Sequence, residues 1–266
     1  MFPPDLPPVS NKALYAYMVF VKWFSFFIFG FCSLILAAAV LPLMRLVLHP
    51  KARFHKYGRR LISSALRFFI FIIHSLGGLN LEVDNREKYR YLSSKIVVAN
   101  HPSILDVVML LSLIPNADCI VNANLNNGIL RGIIRQLFIL NSLDFEELFR
   151  TCAESLGQGN CLIIFPEGTR TPRAGKVILK KGAARIALAS GYSIVPVYIG
   201  GTDKYGLGKK DPWTGFNPSG RYVYSISMGD EISPEKYRSL STPAAAKSMT
   251  KDYSAFLFPH KEGITG

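Results

Sequence analysis

The sequence predicts an α/β fold, a mostly parallel mixed sheet flanked by helices, preceded by an N-terminal membrane-embedded helical hairpin. Three observations carry that expectation. After Gly77-Gly78, short β-branched runs such as Ile96–Ala99 and Cys161–Phe165 alternate with segments of helical periodicity. From Trp23 to Met44 there are 22 residues without a charge, flanked by Lys22 and Arg45. A second apolar stretch, Leu61–Leu76, carries only Arg67 and His74.

In chain order, residues 1–14 hold Pro3, Pro4, Pro7 and Pro8 and read as a flexible tail. As a helix the uncharged stretch would reach about 33 Å, enough for a hydrocarbon core of about 30 Å. It is too long, and begins too late, for a cleaved signal peptide. Residues 15–78 therefore read as a membrane-anchoring hairpin whose second helix, 16 residues of Leu61–Leu76, lies in or dips into the cytoplasmic leaflet. Lys and Arg crowd the C-terminal side of the first helix, which places the rest of the chain in the cytoplasm.

Residues 79–266 read as one α/β domain. Leu79–Val83, Lys95–Ala99, Asp118–Val121, Cys161–Phe165 and Ile194–Ile199 are predicted strands, and Arg221–Met228 alternates like an edge strand. Ile104–Leu113, Ile129–Leu140, Phe145–Leu156 and Lys181–Ala189 are predicted helices, the third with Asp144 as its N-cap. A chain of 266 residues can bury one large core. Its four cysteines stand singly with no CxxC, arguing against a disulfide framework or structural zinc and for small core residues in a reducing compartment.

Lys plus Arg number 31 against 18 Asp plus Glu, a formal net charge of +13. Such an excess favours a polyanionic partner. Much of it (Arg45, Lys51, Arg53, Lys56, Arg59, Arg60, Arg67) adjoins the most apolar segments, so an anionic membrane face is expected and nucleic acid is not.

Two stretches carry chemistry. In Asn100-His-Pro-Ser-Ile-Leu-Asp106 a histidine and an aspartate follow directly after a strand. Pro102 disfavours helical backbone at His101 and suits a first helical turn, so Asp106, one turn in, can reach back to the imidazole. A histidine titrating near neutrality can take and return a proton, and a carboxylate fixes its tautomer. A capping or core histidine fits His-x4-Asp equally well. In Phe165-Pro-Glu-Gly-Thr-Arg170, again after a strand, glycine, hydroxyl and arginine suit an anion cradle. A tight turn with a surface salt bridge fits as well. There is no Gly-x-Ser-x-Gly elbow, P-loop or His-Glu-x-x-His, and no His/Cys/acidic cluster at ligand spacing, so neither metal nor cofactor is expected.

Taken together, the two motifs in this order resemble the lysophospholipid acyltransferase family, which includes 1-acylglycerol-3-phosphate acyltransferase. The likeness continues through Lys180–Arg185 and Ile194–Ile199, covering roughly residues 80–230. The resemblance implies a glycerolipid acyltransferase-like fold and direct acyl transfer from acyl-CoA or acyl-carrier protein to a hydroxyl of a lysolipid, without an acyl-enzyme. His101 would be the base and Asp106 its orienting partner. Glu167, Gly168, Thr169 and Arg170 would bind the acceptor, and Pro196 would lie in a supporting strand. The sequence departs from the family between these motifs. The stretch Gly132–Ser142 has no arginine at its end, where the family carries one, although Arg131 and Arg135 stand nearby, and Asn124 stands where a lysine is common. That departure points to an acceptor other than simple lysophosphatidate, including one from a specialised aryl polyene or ornithine lipid pathway. A thioester hydrolase and a catalytically inactive lipid-binding membrane protein are the competing classes.

Overall fold

The structure is a computed structural model that describes residues 6–121, 133–134, 138–140, 144–173, 176–259 and 264. Helix α1 (Lys12–Ile35) starts inside the expected tail, because Asn11 caps it by accepting the Leu14 N–H at 2.9 Å. A π-helical turn (Leu36–Val40) joins it to α2 (Leu41–Val47). Together they form one 36-residue helix. Among the described residues it is the one helix long and apolar enough to cross a membrane. Phe20, Phe27, Phe31, Leu34, Leu43 and Leu46 stand exposed along it.

Helix α3 (Lys51–Ser75) is longer than the apolar stretch suggested, because its first turns are basic. It is also more deeply tied to the α/β domain than a helix lying in a leaflet. Ile62, Ser63, Phe69, Ile70 and Ile73 are buried. Phe69, Ile70 and Ile73 enter the same core cluster as Val97, Met109 and Leu110. Phe68 and Phe71, on its other face, are exposed.

The domain proper comprises β1 (Leu79–Val83), α4 (Arg86–Arg90), β2 (Ile96–Ala99), α5 (Asp106–Leu113), β3 (Ala117–Val121), β4 (Ile139–Leu140), α6 (Phe145–Gly157), β5 (Cys161–Ile164), α7 (Gly182–Ser190), β6 (Ile194–Gly201), β7 (Tyr222–Met228) and α8 (Thr242–Leu257). The seven strands run in the order β1-β7-β6-β2-β5-β3-β4. Every described pairing is parallel except β6 with β7. The mostly parallel mixed sheet is thus as expected. β7, however, is not an edge strand, since β1 pairs along its outer side from Leu79–Tyr222 to Val83–Ile226. Residues 139–140, expected as the end of a helix, extend the sheet instead, while most of 122–137, with Asn124, Arg131 and Arg135, lies outside the described residues.

Strand alternation divides two cores. Val97 and Ala99 face a cluster with α3 and α5, whereas Ile96 and Val98 face one with α6, α7 and α8. Of the cysteines, Cys119, Cys152 and Cys161 are buried, but Cys32 is exposed on α1. Asp144 caps α6 through the Glu147 N–H at 2.8 Å, and Gly191, at φ 76°, ends α7.

Among the buried polar contacts that fasten the N-terminal helices to this body, two come from charged side chains. Lys22 of α1 is 5% exposed and donates to the Trp213 carbonyl at 2.6 Å and to that of Gly215. Arg59 of α3 meets Asp118 of β3 at 2.9 and 3.2 Å, with side-chain exposures of 10% and 7%. Ser155 donates to the same carboxylate at 2.5 Å. Removing one partner of a buried ion pair strands the other. Arg59→Met should therefore destabilise the protein by about 3 kcal/mol, and Arg59→Met/Asp118→Leu should recover most of the loss, as read by thermal unfolding in detergent.

Candidate active site

Because β2 and β5 are adjacent and parallel, with Val98 opposite Ile164, the loops leaving their carboxyl ends emerge side by side. Ligands bind at that position in open α/β sheets. These two loops hold His101–Asp106 and Phe165–Arg170.

Asn100 ends β2 by turning its amide onto the next strand. It donates to the Ile199 carbonyl at 2.9 Å and accepts the Ile199 N–H at 2.7 Å. His101 follows, and its Nδ1 meets Asp106 Oδ2 at 2.8 Å. Asp106 is the first residue of α5 and has no solvent exposure, whereas the His101 side chain is 17% exposed. A carboxylate only accepts, so Nδ1 carries the hydrogen and Nε2 keeps a lone pair. The imidazole stacks on Phe165, with ring centroids 4.2 Å apart and planes at 25°.

The second loop is stitched to the first. Glu167 Oε1 accepts the His101 N–H at 2.9 Å and the Thr171 hydroxyl at 2.7 Å. Thr171 Oγ1 also accepts the His101 N–H at 3.2 Å, and the Thr171 N–H donates to the His101 carbonyl at 2.7 Å. Gly168 and Thr169 are exposed at the tip. Gly168 has φ 65°, and a Cβ there would lie 2.9 Å from Lys180 Nζ, so the ammonium rests over the turn. Arg170 Nη1 donates to the carbonyls of Leu207 (3.0 Å) and Gly208 (2.8 Å).

His101, Asp106, Glu167, Gly168, Thr169 and Arg170 thus share one pair of loops. Pro196 stands apart from them, buried in β6 opposite Val98, with Phe256 and Gly229 near its ring. Ser103 was missed in the sequence. Its N–H and hydroxyl both donate to Asp106, at 2.7 and 2.6 Å. The Ser-x-x-Asp spacing before an apolar run is a capping-box pattern and would have revealed it. Thr171 and the loop between β6 and β7 were missed as well. The Leu207 carbonyl accepts the Ile104 N–H at 3.1 Å as well as Arg170, and Arg173 pairs with Asp203 (2.6 Å) and Asp211 (3.0 Å). One loop therefore braces both motifs.

Residues 80–200 match the sequence model of the Acyltransferase family. The chain is 25% identical over 183 residues to the chloroplastic 1-acyl-sn-glycerol-3-phosphate acyltransferase LPAT1 of Arabidopsis thaliana, covering 64% of this chain and 49% of that one. It is 32% identical over 133 residues to the 1-acyl-sn-glycerol-3-phosphate acyltransferase of Helicobacter pylori J99, covering 47% and 55%. It spans about half the length of these curated relatives. The fold is that of the crystallised 1-acyl-sn-glycerophosphate acyltransferase PlsC of Thermotoga maritima, with a TM-score of 0.67 at 20% identity over 92% of this chain and 97% of that one.

The bracing loop is testable on its own. Gly206 has φ 89°, and a Cβ there would lie 1.9 Å from the Gly215 carbonyl oxygen. Gly206→Ala should open residues 203–215, seen as faster amide hydrogen exchange there and at the Ile104 N–H, with the β2, β5 and β6 amides still protected.

Proposed function

We propose that the protein transfers a fatty acyl group from acyl-CoA or acyl-carrier protein to a hydroxyl of a lysophospholipid-like acceptor at a membrane. The observation that carries this reading is the 2.8 Å contact from His101 Nδ1 to a fully buried Asp106, which leaves Nε2 as the proton acceptor. Nε2 takes the acceptor's hydroxyl proton as that oxygen attacks the thioester carbonyl. The C–S bond then breaks, and the imidazolium returns the proton to the leaving thiolate. No bond to the enzyme forms. The thioester is already activated, so a positioned base, worth about 10² to 10⁴-fold, and proximity suffice.

Glu167, Gly168, Thr169 and Arg170 bind the acceptor in this reading. Arg170 is held by its Nη1 end, and the guanidinium's remaining N–H groups meet an anionic headgroup. Pro196 supports the strand beneath. The N-terminal helices anchor the domain to the cytoplasmic membrane, with the basic turns of α3 against anionic lipid and the catalytic domain on the cytoplasmic side. The exposed aromatic and aliphatic faces of α1, α2 and α3 support that placement. So do the names of the relatives, all of which act on an acylated glycerol phosphate. A two-tailed product would then return to the bilayer without crossing water.

Lipid mass spectrometry of the purified protein given labelled acyl thioester and a panel of lysolipids tests this reading. Thioester consumption should require a lysolipid, whereas a hydrolase would consume thioester without one and a binding protein would not consume it. His101→Ala should lower turnover by about 10³-fold while membrane binding and melting temperature hold. Activity above a few per cent of wild type would reject His101 as the base. If lysophosphatidate is acylated as fast as any other acceptor, the non-glycerolipid alternative is excluded.

A further inference from the structure

Asp106 is bound from two sides. Its Oδ2 accepts from His101 Nδ1 and the Ser103 N–H, and its Oδ1 accepts the Ser103 hydroxyl at 2.6 Å. The single hydroxyl hydrogen of Ser103 is thereby committed. Its Oγ must then be the acceptor in the 2.8 Å contact with the Tyr224 hydroxyl, and it accepts the Leu105 N–H at 3.2 Å as well. Tyr224 sits on β7 with no exposure. Burial and the nearby Asp106 charge both push its phenol well above the usual range, so it keeps its hydrogen. On the face of the Tyr224 ring lies Lys204 Nζ, 4.5 Å from the centroid. Lys204 is itself 6% exposed, and its ammonium donates to the carbonyls of Gly200 (3.1 Å), Thr202 and Val223 (2.9 Å).

We propose that Tyr224 and Lys204 are positioning residues for the His101–Asp106 pair, acting through Ser103. The proposal rests on the reading of His101 as the base. Lys204 is a buried positive charge that acts on the carboxylate from the face of the Tyr224 ring, which Ser103 joins to Asp106. It has two effects. A cation on the ring face withdraws electron density and strengthens the phenol as a donor, and that polarisation passes along the chain of hydroxyls to Asp106. It also gives the buried carboxylate a counter-charge that does not depend on His101. Without it, a protonated imidazole would be more strongly favoured beside Asp106, and the pair would hold its proton more tightly. The groups facing this chain are Asp106 on α5, Asp203 on the same loop as Lys204, Tyr222 beside Tyr224 on β7, and Glu167 against the His101 backbone. Burial pushes Lys204 down to about 8 while Asp106 and Asp203 pull it up.

The pH dependence of kcat/KM for acyl transfer separates this role from a merely structural one. Lys204→Met should move the acid limb to higher pH by about one unit, because loss of the repelling charge favours the protonated imidazole. Tyr224→Phe, which removes one oxygen and keeps the ring, should lower kcat about tenfold with KM for both substrates unchanged, and should move the acid limb the same way by a smaller amount. If Lys204→Met does not fold, Tyr224→Phe decides alone. A folded Tyr224→Phe protein with the wild-type kcat and pH profile, in an enzyme that still requires His101, overturns the positioning role and leaves the catalytic reading standing. Activity of His101→Ala above a few per cent of wild type overturns the base itself, whatever Tyr224 does.

Discussion

Everything at the site follows from sinking one carboxylate, Asp106, out of reach of water. An ionised group so placed must have both oxygens occupied, since the penalty for an unpartnered buried charge is several kcal/mol. The protein meets that demand with the first turn of α5, which brings the Ser103 N–H and hydroxyl onto the carboxylate and leaves one direction open for His101. Starting the helix at Asp106 and orienting the imidazole therefore go together. The same six-residue stretch, Pro102 included, is both a helix start and half of the candidate site.

The second constraint is that two loops from different strands hold a common shape. Parallel neighbours β2 and β5 bring them together, but parallel pairing fixes only where the loops begin. Their mutual position comes from Glu167 and Thr171 on the His101 backbone and from the β6–β7 loop beneath both. Glu167 and Arg170 are thus structural members of the cradle as well as candidates for touching the acceptor. Arg170 in particular spends one end of its guanidinium on main-chain carbonyls.

The strand–helix alternation and the two motif loops were legible because each is a local pattern: β-branched runs of four or five residues, then Pro and Gly at the turn. What escaped was set by partners distant in sequence. The alternating burial of β7 resembles that of an edge strand because it reports which faces are covered, not whether both sides are paired; β1 supplies the missing neighbour. Helix α3 looked short because Lys51–Arg60 carries charge where an apolar stripe was sought, yet Arg59 has a buried partner in Asp118. The Tyr224 hydroxyl and the Lys204 ammonium reach Asp106's neighbourhood from beyond residue 200, and no spacing rule within Asn100–Asp106 could point to them.

The Lys22 contact bears on how the molecule is made. Its partners, the carbonyls of Trp213 and Gly215, lie 191 and 193 residues further along the chain. As synthesis proceeds from the N-terminus, α1 leaves the ribosome long before the loop that receives its ammonium exists. Through that interval the Lys22 ammonium is without either of these partners. The attachment of α1 to the domain through Lys22 is therefore a late event in assembly, made only once the loop after β6 is in place.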